Sequence, residues 1–129
     1  MEQPMVPAGV GGMSGLAARR FGGAHLLLAY EDCAADLNDL DFVEAAMRQG
    51  IAAAGATVVD WVGSRFSPHG LTLAFVLAES HASLHTYPEY RAAFLDIFTC
   101  GTHCQPARFD AVLRQRLRPG VVRTRVVRR

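Results

Sequence analysis

Apolar residues recur along this chain at two spacings, every second position and every third or fourth, and the switches between them divide it into strands and helices. The run HLLLAY, residues 25–30, predicts a first strand. Phe42, Val43, Ala46, Met47, Ile51 and Ala54 then return at helical spacing, with Asp41 and Glu44 as a capping box in which Asp replaces Ser or Thr, and with Gly55 as a left-handed stop. Residues 57–65 (TVVDWVGSR) alternate as a second strand, and SPHG at 67–70 turns the chain into LTLAFVLA, 71–78, an apolar run too short for a stable helix and read as a buried third strand. A fourth strand is expected over 82–87 and a fifth over 92–99. Pro106 suits a first helical position and opens a helix that buries Phe109, Val112, Leu113 and Leu117 before Pro119-Gly120 stops it. Residues 121–127 form a last strand, marked as an edge by alternating Arg123 and Arg125. The order β-α-β-β-β-β-α-β predicts an α/β (α+β) two-layer sandwich, a largely antiparallel sheet with helices on one face. Residues 1–22 carry Gly, Pro, Met and Ser without periodicity and are expected to be a flexible N-terminal arm ahead of a single domain over 23–129.

Composition narrows the function. A chain of 129 residues, half of them apolar, supports one modest core and leaves apolar surface that a second copy would complete, so a homo-oligomer is expected, as a dimer. A net charge of +1 argues against general nucleic-acid binding, and the arginines from Arg114 to Arg129 read as a solvated face without the interleaved aromatics that stack on RNA. Three cysteines give no disulfide framework and suit a reducing cytoplasm. Arg19-Arg20-Phe21 resembles a twin-arginine signal, but the apolar run after it is short and broken by acids, so neither export nor a membrane span is expected. The acidic stretch from Glu31 to Asp41 offers groups for a polyamine or metal, against the plainer reading of a solvated approach to a helix.

The chemistry concentrates between Glu79 and Gly101, ESHASLHTYPEYRAAFLDIFTCG. Ser80 follows a strand, His81 and His85 are candidate bases for its hydroxyl, and Cys100 is a further reactive group. The chain contains no lysine. Amino-acid decarboxylation needs an electron sink, usually a Schiff base to a carbonyl, and pyridoxal phosphate enzymes hold theirs on a lysine; a carbonyl made from the backbone needs none. A different class remains open: His81, His85, Cys100, His103 and Cys104 supply enough nitrogen and sulfur ligands for a small zinc module, although the spacing is not the usual CxxC.

The segments FSPHG (66–70), LAESH (77–81), HTYPEY (85–90) and DIFTCG (96–101) together resemble the short bacterial S-adenosylmethionine decarboxylase proenzyme. That resemblance implies a chain that cuts itself between Glu79 and Ser80, with Ser80 becoming a pyruvoyl cofactor. It implies decarboxylation of S-adenosylmethionine for polyamine (spermidine) biosynthesis and no resident metal. Thr72, in place of a strand serine, and His85 would assist processing. Cys100 would return a proton after carbon dioxide leaves, as a thiol can near neutral pH. Phe66 would stack on the adenine, with Tyr87 in place of a tryptophan and Glu89 as a carboxylate near the ligand. Tyr87 and Leu73 depart from the family's usual residues and alter the purine side of the pocket, so arginine or ornithine is the second substrate reading.

Overall fold

The computed structural model describes residues 21–100 and 103–129, so residues 1–20 of the expected arm lie outside the described residues. Six strands and two α-helices follow in the expected order: β1 (Gly23–Glu31), α1 (Leu40–Ala53), β2 (Val58–Arg65), β3 (Leu71–Leu77), β4 (Ser80–Tyr87), β5 (Ala92–Cys100), α2 (Pro106–Leu117) and β6 (Val121–Arg128). They form one sheet in the order β2-β3-β4-β5-β1-β6, antiparallel at every pairing. The two-layer sandwich read from the sequence is the observed architecture.

Side chains alternate across a strand, so each strand contributes one set of residues to each face. On one face Leu26, Leu28, Tyr30, Leu71, Leu73, Phe75, Ala82, Leu84, Leu95 and Ile97 are buried with Val43, Met47 and Ile51 of α1 and Phe109, Leu113 and Leu117 of α2. The helices also pack on each other. A Cβ on Gly50 would stand 2.2 Å from the Leu113 side chain, so the absence of a side chain there sets how closely they approach. Tyr30 is wholly buried and its hydroxyl donates to the Asp110 carboxylate at 2.6 Å, which satisfies the one polar atom it carries inward.

Several boundaries differ from the sequence reading. The cap of α1 is Asp39, whose side chain accepts from the Phe42 N–H at 3.1 Å; Asp41 lies in the first turn and Glu44 pairs with Arg48 instead of closing a capping box. Val112 is only partly buried. The fourth strand starts at Ser80, two residues earlier than expected, so only Ala78 and Glu79 separate β3 from β4. The Glu79–Ser80 bond therefore sits in a tight hairpin.

Candidate active site

The residues singled out from the sequence fall into two groups, at opposite ends of β4. At its start, strand register does the positioning: Ser80 pairs with Thr99 across to β5, which leaves Glu79 beside Cys100. The Glu79 carbonyl oxygen accepts from the Cys100 thiol at 2.8 Å and from the Cys100 N–H at 3.4 Å. Two donors thus converge on the carbonyl that a serine nucleophile would attack, the arrangement that stabilises an oxyanion. Ser80 Oγ lies 3.2 Å from His81 Nδ1. The Glu79 side chain is anchored apart from its carbonyl: Oε1 accepts from the Thr57 N–H at 3.1 Å and Oε2 lies 3.4 Å from His103 Nε2. The Thr57 N–H, with His103, holds the Glu79 carboxyl below the usual carboxylate range. Beside it, burial and then the Glu79 charge push the Cys104 thiol up.

At the other end of β4 stands the second group. Thr72 on β3 is directly opposite His85, and Thr72 Oγ1 is 2.6 Å from His85 Nδ1. The His85 ring meets Tyr87 edge-on at 4.6 Å and lies 6.2 Å from Phe66, with Phe94 next to Tyr87 at 5.9 Å. Glu89, in a 3-10 turn (Pro88–Tyr90), pairs with His69 at 3.1 Å and so ties that turn to the loop carrying Phe66. Gly70, at φ 116°, closes that loop through Phe66 N–H to Gly70 carbonyl at 2.8 Å, a left-handed conformation that a residue with a side chain resists. One chain therefore collects Thr72, His85, Phe66, Tyr87 and Glu89 at one place. It does not bring them to Ser80, because five residues of extended strand separate Ser80 from His85 by about 17 Å.

Between the two groups lies a third that motif reading missed. Asp96 of β5 accepts from the Ser83 hydroxyl through one oxygen and lies 2.7 Å from His25 Nε2 through the other. His81 stacks edge-on against His25 at 5.9 Å, with Phe98 against both rings. The signal for it is the alternation itself, since 81, 83 and 85 share a face, but adding residues 25 and 96 requires the strand order. These groups line the face of the sheet away from the helices, where Thr72, His85, Phe94, Asp96, Arg123 and Arg125 border a trough of about 780 Å³.

The zinc reading fails on the same geometry. His81 and His85 are four residues apart on a strand, about 13 Å, beyond the span of any single ion. Among the described residues the three-membered groups of potential ligands are instead His25, His81 and Asp96, and Glu79, His103 and Cys104. No helix among the described residues is long and apolar enough to cross a membrane.

Residues 24–129 match the model of the family described as S-adenosylmethionine decarboxylase. The chain belongs to that family. It is 42% identical over 97 residues to the S-adenosylmethionine decarboxylase proenzyme of Parasynechococcus marenigrum, covering 74% of this chain and 76% of that one. Against the proenzyme of the same name from Symbiobacterium thermophilum it is 41% identical over 108 residues, 83% of this chain and 82% of the other. The crystal structure of the adenosylmethionine decarboxylase from Aquifex aeolicus superposes with a TM-score of 0.77 at 27% identity, covering 84% of this chain and 91% of that chain.

Proposed function

We propose that this chain is a self-processing, pyruvoyl-dependent decarboxylase acting on S-adenosylmethionine. The observation that carries the reading is the Cys100 thiol and N–H on the Glu79 carbonyl, beside a serine whose hydroxyl has a base in reach. In processing, Ser80 Oγ bonds to the Glu79 carbonyl carbon and the negative charge gathers on the oxygen that Cys100 holds. Collapse breaks the carbon–nitrogen bond and leaves an ester. Loss of the Ser80 Cα proton expels the Glu79 carboxylate, and hydrolysis of the resulting dehydroalanine releases ammonia and leaves a pyruvoyl group at position 80. That carbonyl, once present, supplies the electron sink for decarboxylation. Cys100, at the same spot, is placed to return a proton to the substrate carbon. Phe66 offers a stacking face for the purine, and Glu89 a carboxylate for the ligand.

The distance between Ser80 and the His85 group bears on the assembly. The face away from the helices leaves Leu27, Val62, Val76 and Phe94 exposed between its polar groups, apolar surface that a second copy would cover. Two copies packed on this face about a two-fold axis lying between the sheets and perpendicular to β4 would run their β4 strands in opposite directions. The Glu79–Ser80 hairpin and Cys100 of one copy would then lie over His85, Thr72 and Phe66 of the other, and each site would be built from both chains. Intact mass tests the processing: fragments 1–79 and 80–129 are expected, the second blocked at its N-terminus, while Ser80→Ala stays a single chain. A wild-type chain that remains whole after prolonged incubation overturns the reading. Carbon dioxide release is expected from S-adenosylmethionine and not from arginine or ornithine; release from either of those alone would reassign the substrate.

A further inference from the structure

The geometry points to His81 as the base that takes the Ser80 proton, backed by the Asp96 carboxylate that His25 and Ser83 hold in place. This inference rests on the reading that the chain cuts itself at Ser80. His81 touches the reacting atom directly, with Nδ1 3.2 Å from Ser80 Oγ. His85, the other histidine of the stretch, lies about 17 Å along the strand in the same chain. With the His81 proton on Nε2, Nδ1 is free to accept from the serine. One nitrogen of His81, one of His25 and one oxygen of Asp96 all lie within 4.8 Å of one another. The imidazolium formed on His81 therefore has a carboxylate close by. Asp96 is fixed in turn on both oxygens, by His25 at 2.7 Å and by the Ser83 hydroxyl, and its side chain and that of His25 are only 19% and 18% exposed. The carboxylate is thus fixed and partly shielded, while the His81 ring beside it stays exposed.

The step balances without a co-reactant. The Oγ proton passes to His81 Nδ1 as Oγ bonds to the Glu79 carbonyl carbon. The same proton is delivered to the Ser80 nitrogen as the carbon–nitrogen bond breaks, and the net change is migration of the acyl group from nitrogen to oxygen. His81 is then the catalytic base of the first stage, while His25, Asp96 and Ser83 are positioning residues that act through it. The later removal of the Cα proton is left to a different base.

The test follows self-cleavage of freshly expressed full-length chain by intact mass, with hydroxylamine added to reveal any accumulated ester. His81→Ala is expected to slow cleavage by about 10²-fold, the scale of general-base assistance. It should stall as an unbroken amide that hydroxylamine does not split, and added imidazole should restore part of the rate. His81→Gln, which keeps a hydrogen-bonding side chain but no base, replaces it if the alanine variant fails to fold. Asp96→Asn is expected to slow cleavage about tenfold, and the double variant to be no slower than His81→Ala alone, because a positioning residue has nothing to act on once its base is gone. Wild-type cleavage with an unaffected His81→Ala overturns this assignment and leaves the enzyme reading intact, whereas a wild type that never splits removes both. Cleavage abolished by a chelator and restored by zinc would also overturn it, since a metal on these three groups would occupy the His81 ring.

Discussion

The two faces of this sheet are written by the same strands and do opposite work. In β3, Leu71, Leu73, Phe75 and Leu77 are buried under the helices, while Thr72, Ala74 and Val76 between them face the other way. In β4 the alternation separates Ala82, Leu84 and Thr86 from His81, Ser83, His85 and Tyr87. The covered face is almost wholly apolar and satisfied; the open face carries hydroxyls, imidazoles, a carboxylate and a thiol among exposed apolar side chains. The lesson is mechanical. A rigid core on one side fixes the register of the strands, and the register alone sets which reactive groups stand next to each other on the far side.

The comparison breaks most visibly at Phe75 and Val76, neighbours that point in opposite directions. Phe75→Ala, on the covered face at 1% exposure, is expected to destabilise the uncleaved Ser80→Ala chain by about 3–5 kcal/mol in denaturant unfolding. Val76→Ala, at 52% exposure, should change it by no more than about 0.5 kcal/mol in the isolated chain. Equal losses at the two positions would mean that the open face is covered even in a single copy. Val76→Asp carries this further: it should separate copies in sedimentation velocity without lowering helix or strand content by circular dichroism.

Cys100 sharpens the comparison on the chemical side. Cys100→Ala removes the thiol but keeps the backbone N–H on the Glu79 carbonyl, so self-cleavage is expected to slow by about 10²-fold, as for loss of one oxyanion donor, yet to reach completion. The completed protein should then lose decarboxylation by about 10²–10³-fold, because the proton donor is gone as well. Undiminished carbon dioxide release from this variant would remove the cysteine from the mechanism.

Among the changes expected to act on the chemistry, the smallest belongs to Phe66, at the edge of the open face. Phe66→Ala should weaken S-adenosylmethionine binding by about 1–2 kcal/mol, read by calorimetry on processed protein, the size of a lost stacking contact. No weakening would place the purine elsewhere in the trough.

The amino-acid sequence by itself determined the order of elements, the two-layer architecture and the buried faces of both helices, because hydrophobic periodicity reports burial element by element. It also marked the residues of the hairpin and of the His85 group through short motifs whose members are close along the chain. What only the tertiary structure decided is who meets whom across strands. Cys100 reaches the Glu79 carbonyl because β5 pairs with β4 in one register, and His25 joins Asp96 because β1, first in sequence, lies next to β5 in the sheet. Sequence spacing suggested that His81 and His85 were equivalent partners for Ser80. An extended strand made them unequal: each residue adds about 3.3 Å, so four positions separate two side chains that a helix would have stacked on one face.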